Sequence, residues 1–485
     1  MILRKTIVNR YKALSVQLKA SIWFLICSFL QKGISVITTP IFTRLLSTDE
    51  YGQYGAFDSW LKIITIFVSL QLYSGVYTQG LVKYSDDKCR FSSSIQGLSL
   101  SLTVAWTIIY LVFRNYWNNL FSLTTVQMLA MLIMIWSTSV FNLWAGEQRV
   151  EYKYHRLVFA TLIISIAKPV IGIAFVKNAT DKVTARILGL ALVELIGYFS
   201  FFWIQMKKGK QFYSFKYWRH ALLFNIPLIP HYLSQTVLNS ADRIMIKNMI
   251  GDSEAGIYSL AYSVSLIMTL FNTALMQTIS PWMYQRIKEK KERSIAPVAY
   301  ITLILIASVN LLLILLAPES VTVFAPNAYH KAIWVIPPVA MSVYFMYSYD
   351  LFAKFAFYYE KTKFIMVASV MGAVLNIILN YVFIHLFGYL AAGYTTLLCY
   401  IVYAIAHYLF MRKVCRCFCE DKQPYDPKII FIISFIFVFT GFLLMITYDY
   451  PLVRYSIVVV LSIVLVVKRK NIIETIKKII GLRST

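Results

Sequence analysis

Fourteen apolar stretches of about 20 residues, joined by short polar segments, decide what this chain can fold into. A helix needs about 20 apolar residues to cross a bilayer. The stretches run near 21–43, 54–77, 95–113, 125–145, 157–176, 185–206, 221–246, 256–280, 297–317, 332–353, 364–386, 390–411, 428–447 and 451–467. In hydrocarbon every backbone polar group needs a partner within the protein, which makes helices the solution for segments of this length. The sequence therefore predicts an all-α, polytopic membrane protein with about 14 transmembrane helices. Composition agrees: 59% of residues are hydrophobic and 14% charged, against about 45–50% and about 25% in soluble domains.

The formal charge is +25. In a soluble chain that excess would point to nucleic acid, but in a membrane chain Lys and Arg mark the cytoplasmic loops. With both termini inside, thirty-five of the 47 Lys and Arg fall on inside segments and eight on outside ones: Arg44, Arg114, Lys177, Lys182, Arg186, Lys247, Lys331 and Arg454. The excess is an orientation signal, and no nucleic-acid partner is expected. Residues 1–20 and 468–485 read as basic cytoplasmic termini. The apolar part of span 1 is too long for a cleaved signal and lacks a small-residue cleavage site.

No loop is long enough for a soluble catalytic domain, and no G-x-x-x-x-G-K-[ST] pattern provides an ATPase. None of the six cysteines (Cys27, Cys89, Cys399, Cys415, Cys417, Cys419) falls in an outside loop, so no structural disulfide is expected. Cys415-x-Cys-x-Cys419 lacks the second ligand pair of a zinc site, and no metal or organic cofactor is expected.

An internal repeat organises the spans. Glu50-Tyr-Gly-Gln-Tyr54 and Glu254-Ala-Gly-Ile-Tyr258 share the pattern E-x-G-x-Y at an offset of 204, each at the start of an even-numbered span. The unit is six helices, so the halves run in parallel across the membrane, one of the standard transporter plans. The expected architecture is two parallel six-helix lobes around a central cavity, 21–206 and 221–411, with two extra helices over 428–467.

Charged residues inside spans are rare, because each costs about 2.5–3.5 kcal/mol at the bilayer centre on insertion scales. They must face protein or water. Helical spacing groups them into stripes. Ser28, Lys32, Ser35, Thr39 and Thr43 share a face of span 1. Tyr54, Asp58, Lys62, Thr65 and Ser69 share one on span 2. Span 7 carries Gln235, Asn239 and Asp242 on one stripe, with Arg243 and Lys247 beside it. Span 8 carries Tyr258, Tyr262 and Asn272. These residues, with Thr39 and Thr65, are the predicted cavity lining. Lys32 has no partner in its own helix and suggests an anionic ligand. Asp58 and Lys62, four residues apart, can pair locally. Lys168 and Glu194 lie at one depth, each 13 residues from Asp181, and suit a buried pair or a functional site.

The segments Asp242-Arg243-Ile-Met-Ile-Lys-Asn-Met-Ile-Gly251, Glu254-Ala-Gly256-Ile-Tyr258-Ser-Leu-Ala261-Tyr262 and Thr43-Arg44-Leu-Leu-Ser-Thr-Asp-Glu-Tyr51-Gly52-Gln-Tyr54, on the fourteen-span plan, resemble the polysaccharide transport (Wzx-like) flippases of the multidrug/oligosaccharidyl-lipid/polysaccharide exporter superfamily. The resemblance implies a transporter, not an enzyme. It implies movement of an undecaprenyl-pyrophosphate-linked oligosaccharide across the bacterial plasma membrane by alternating access, for O-antigen, capsule or exopolysaccharide. It makes Lys32, Lys62 and Arg243 candidate diphosphate ligands, with Arg44 and Lys247 at the outer mouth. Asp58, Asp242 and the Lys168–Glu194 pair are candidates for a coupling proton or sodium ion, or for structural pairing. Membrane lipid, a polysaccharide polymerase and chain-length proteins are the implied partners. A multidrug or metabolite cation antiporter of the same superfamily and a membrane glycan polymerase are the alternatives.

Overall fold

A computed structural model describes residues 16–419 and 423–467, and within them nineteen α-helices. The expected basic termini lie outside the described residues, apart from residues 16–20. Nine described helical segments are long and apolar enough to cross a membrane, and ten if Asn327–Trp334 and Ile336–Tyr358, bent by 48°, make one span. The chain is a multi-pass membrane protein. The other four expected spans are helical but stand outside that set. Spans 2 and 7 are among these four, and their polar stripes lower their hydropathy.

The chain divides into two compact units between Thr236 and Val237. The first holds α1 (Val16–Leu45), α2 (Thr48–Ser69), α3 (Val76–Lys83), α4 (Lys88–Val112), α5 (Arg114–Phe121), α6 (Thr125–Val150), α7 (Tyr154–Lys177), α8 (Lys182–Gly209), α9 (Phe215–Asn225) and the start of α10 (Ile229–Met249). Helix α8 packs on α4, α6 and α7, and α1 lies on α7. Close approach depends on glycine: a Cβ on Gly97 would stand 2.1 Å from the Phe212 carbonyl oxygen, and one on Gly209 2.0 Å from that of Cys89.

The second unit holds the rest of α10, α11 (Asp252–Ser265), α12 (Met268–Lys288), α13 (Ile295–Leu315), α14 (Ala317–Phe324), α15 (Ile336–Tyr358), α16 (Thr362–Phe387), α17 (Ala391–Phe418), α18 (Pro427–Ile446) and α19 (Pro451–Val467). Helix α15 is buried along most of its length, against α13 and α17. Its core includes Tyr344, Tyr347, Leu351 and Phe355.

The repeated glutamate has a structural task. Ser47 and Glu50 form a capping box at the start of α2: the Glu50 amide donates to Ser47 Oγ (3.1 Å), and the Ser47 amide to Glu50 Oε2 (2.7 Å). This satisfies two amides that a helix start leaves unpaired.

Spans 2, 7 and 8 are interrupted rather than continuous. Span 2, expected over 54–77, ends at Ser69. Leu70 and Gln71 adopt left-handed φ of 48° and 51°, and Gly75 has φ of 63°. The carbonyls freed at this break are captured by Asn225, whose Nδ2 donates to the Leu70 and Gln71 oxygens at 2.9 Å each. Such capture is what lets a broken helix stay buried. Span 7, expected over 221–246, is split by a 3₁₀ turn at Ile226–Leu228 that carries Pro227, a residue with no amide to donate. Span 8 breaks between α11 and α12 at Leu266–Ile267.

Candidate functional site

In the first unit the polar residues fall into pairs. Lys62 Nζ lies 2.6 Å from Asp58 Oδ2, one helical turn away, and is half exposed. Lys168 Nζ lies 2.6 Å from Glu194 Oε1, and Glu194 is buried. Thr138 donates to its other oxygen at 3.0 Å, while the Tyr198 ring lies 5.8 Å from Lys168 Nζ. Lys32 is exposed on α1 and has no carboxylate partner among the described residues. Arg44 donates to the Pro40 carbonyl at 2.8 Å. Thr39 and Thr65 donate to their own helices, at Ser35 and Leu61. Gln235 lies on α10 just before the division between the units.

Glu147 lies near the end of α6. It is buried, accepting from Gln205 Nε2 at 2.6 Å and facing Lys208 at 3.4 Å. Gln205 also donates to the Tyr77 hydroxyl (3.1 Å) and accepts from Gln96 (2.6 Å). This network joins α3, α4, α6 and α8. Its amide and hydroxyl members give no charge signal in an apolar sequence, so only the fold reveals it.

The second unit builds a denser centre around Asp242 on α10. The carboxylate is buried and accepts three hydrogen bonds: from Tyr258 of α11 (2.6 Å), Asn380 of α16 (2.5 Å) and Thr396 of α17 (2.8 Å). Asn380 also donates to Asn376 Oδ1 (3.2 Å) and accepts from Thr395. One turn away, Asn239 Oδ1 accepts from Tyr262 (3.2 Å) and Tyr400 (3.1 Å). Arg243 donates to the Asn239 carbonyl at 2.7 Å, its guanidinium 4.9 Å from the centre of the Tyr262 ring. Lys247 lies 3.7 Å from Asp252. Asn272 is outside the cluster and donates to the Val343 carbonyl at 2.9 Å.

The structure thus gathers Asn239, Asp242, Arg243, Tyr258 and Tyr262. It adds Asn376, Asn380, Thr395, Thr396 and Tyr400, which the sequence did not single out. Four helices meet around one buried carboxylate, which accepts from two hydroxyls and one amide nitrogen and can itself take up a proton.

The fold is shared with transporters of the MOP superfamily. It matches the lipid II flippase MurJ in an inward closed conformation with a TM-score of 0.71 at 16% identity, over 93% of this chain and 100% of that one. It matches an inward-facing multidrug resistance MATE family transporter of the MOP superfamily with a TM-score of 0.65 at 14% identity, over 81% of this chain and 96% of that one. Neither of these neighbours is an enzyme. The family model described as "Polysaccharide biosynthesis protein" matches residues 17–287, more than half of the chain, and the MatE model matches residues 227–382. The chain belongs to the polysaccharide biosynthesis protein family. A Haemophilus influenzae relative, Lsg locus putative protein 1, is 24% identical over 379 residues, 74% of this chain and 89% of that protein.

Proposed function

We propose that the protein is a flippase that carries an undecaprenyl-pyrophosphate-linked oligosaccharide from the cytoplasmic to the outer leaflet of a bacterial plasma membrane, supplying surface polysaccharide. The observation that carries this reading is the polysaccharide biosynthesis family match on a fold shared with a lipid II flippase. Lys32, exposed on a membrane helix with no acidic partner among the described residues, suits a phosphate ligand, since such groups are bound through charge-assisted hydrogen bonds. Arg243 is its counterpart in the second unit, and Lys62 contributes less because Asp58 already neutralises it. Asp242 is the coupling site, binding a proton or a sodium ion in step with alternating access. Both termini are cytoplasmic, and a polymerase with its chain-length proteins receives the product.

The test is a deletion strain in which inner-leaflet and outer-leaflet lipid-linked glycans are assayed separately. Complete repeat units accumulate inside and surface polymer is lost if the reading holds. Complete units that reach the outer leaflet at the wild-type rate overturn it. Lost resistance to cationic compounds instead would point to the antiporter alternative.

A further inference from the structure

Arg186 enters the sequence argument only as one of the outside basic residues. In the fold its guanidinium, carried on the second turn of α8, lies 3.5 Å from the centre of the Tyr54 ring, 3.8 Å from that of Phe42 and 5.8 Å from that of Tyr51. Helices α1 and α2 supply these rings. The side chain is half-buried, and its Nε and Nη1 are buried with no hydrogen-bond partner. No carboxylate pairs with it among the described residues. The acids of this region are engaged elsewhere: Asp58 with Lys62, Glu194 with Lys168, and Glu50 in the cap of α2 with Lys182 at 4.0 Å.

An arginine retained for structure alone normally recovers its desolvation cost from a carboxylate. Aromatic faces compensate part of it and hold the plane in place. The guanidinium fork matches pairs of phosphate oxygens, which a lysine cannot do. The internal repeat sharpens the point. Tyr54 and Tyr258 are equivalent in the E-x-G-x-Y pattern, and Tyr258 meets the buried Asp242 carboxylate where Tyr54 meets a cation. The carboxylate has three donors around it, whereas the guanidinium has no acceptor on Nε or Nη1 and calls for an anion.

We propose that Arg186 is an anion-binding residue that takes the phosphate oxygens of the diphosphate lipid, at the end of the first unit assigned to the outside. This rests on the flippase reading. The experiment titrates the purified full-length protein with undecaprenyl diphosphate, inorganic pyrophosphate or phosphatidylglycerol, followed by native mass spectrometry, with Tm recorded alongside. Arg186→Met keeps an apolar filling between the rings. It is expected to weaken undecaprenyl diphosphate about tenfold or more, with Arg186→Lys intermediate and the exposed Arg114→Met unchanged. The same loss with pyrophosphate supports the proposal and traces it to the headgroup. Binding by Arg186→Met equal to wild type overturns it and leaves the flippase reading standing. Equal losses for phosphatidylglycerol overturn the diphosphate assignment. If the wild type binds no diphosphate lipid, both readings fall. If Arg186→Met does not fold, Arg186→Lys decides, and wild-type binding by it overturns the proposal.

Discussion

Asp242 shows how a single side chain gathers a site. Truncating it to alanine strands the donors Tyr258, Asn380 and Thr396, each worth about 1–3 kcal/mol when buried and unpaired. Asp242→Ala is therefore expected to lose about 3 kcal/mol or more of stability in denaturant unfolding, and an unchanged midpoint would contradict this network. Lys32 and Lys62 separate in the same way by their partners. An exposed i,i+4 pair such as Lys62–Asp58 is worth only about 0.3–0.5 kcal/mol, so Lys62→Gln is expected to leave both stability and flipping in proteoliposomes near wild type. Lys32→Gln should cut flipping severely, and the reverse ranking would move the diphosphate site to α2. Outside the spans, Glu151 is clamped by Lys88 and Lys153 at 2.5 Å each. Burial acts to raise its carboxyl, but the two lysines outweigh this and hold it below its ordinary value. The lowered value means the folded state favours the ionised form. The clamp's stability is thus present in full above the ordinary carboxylate range and is lost as pH falls through the lowered value. Both lysines are about half exposed, so the contribution is at most about 1 kcal/mol. The Tm advantage of wild type over Glu151→Gln should shrink between pH 7 and about pH 4.

At the scale of helices, the interruptions carry the information that periodicity misses. Span 2 looks continuous because 70–77 carries no charge, yet the helix ends where Asn225, 155 residues beyond Leu70, caps the freed carbonyls. Asn225→Ala leaves the partly buried Leu70 carbonyl unpaired, while the Gln71 carbonyl keeps the Ser74 amide at 2.8 Å, and is expected to cost about 1 kcal/mol or more. Hydrogen exchange should show loosening confined to residues 66–80. An Asn225→Ala protein as protected there as wild type would mean that another donor holds the break. The capping box was legible in part, since Ser47 and Glu50 stand at the diagnostic spacing. The glycine contacts of α4 and α8 were not, because nothing local marks Gly209 as facing the Cys89 carbonyl.

For the whole molecule, the orientation rests on the distribution of basic residues. Cys89 and Cys417 are exposed thiols on segments assigned to the cytoplasm, whereas Cys27, Cys399, Cys415 and Cys419 are buried. A membrane-impermeant maleimide is expected to label Cys89 and Cys417 in inverted vesicles and neither in intact spheroplasts. Labelling of both from the periplasmic or external face would reverse the topology and place the α8 start, with Arg186, in the cytoplasm.

The sequence by itself determined the class of fold, because apolar length and backbone hydrogen bonding in lipid leave few alternatives. It also marked Lys32, Asp58, Lys62, Lys168, Glu194, Asp242 and Arg243, since a charge in an apolar segment stands out wherever it is going. Tertiary structure decided what each charge meets. Lys62 meets Asp58 in its own helix, whereas Asp242 meets Asn380 and Thr396 from 138 and 154 residues away. Neutral amides and hydroxyls such as Asn225, Gln205 and Asn380 carry no local sign of their task. Hydrogen-bond partners separated by more than a hundred residues leave no periodicity in the chain, so only the packed helices say which polar groups are satisfied and which, like Arg186, remain without a partner among the described residues.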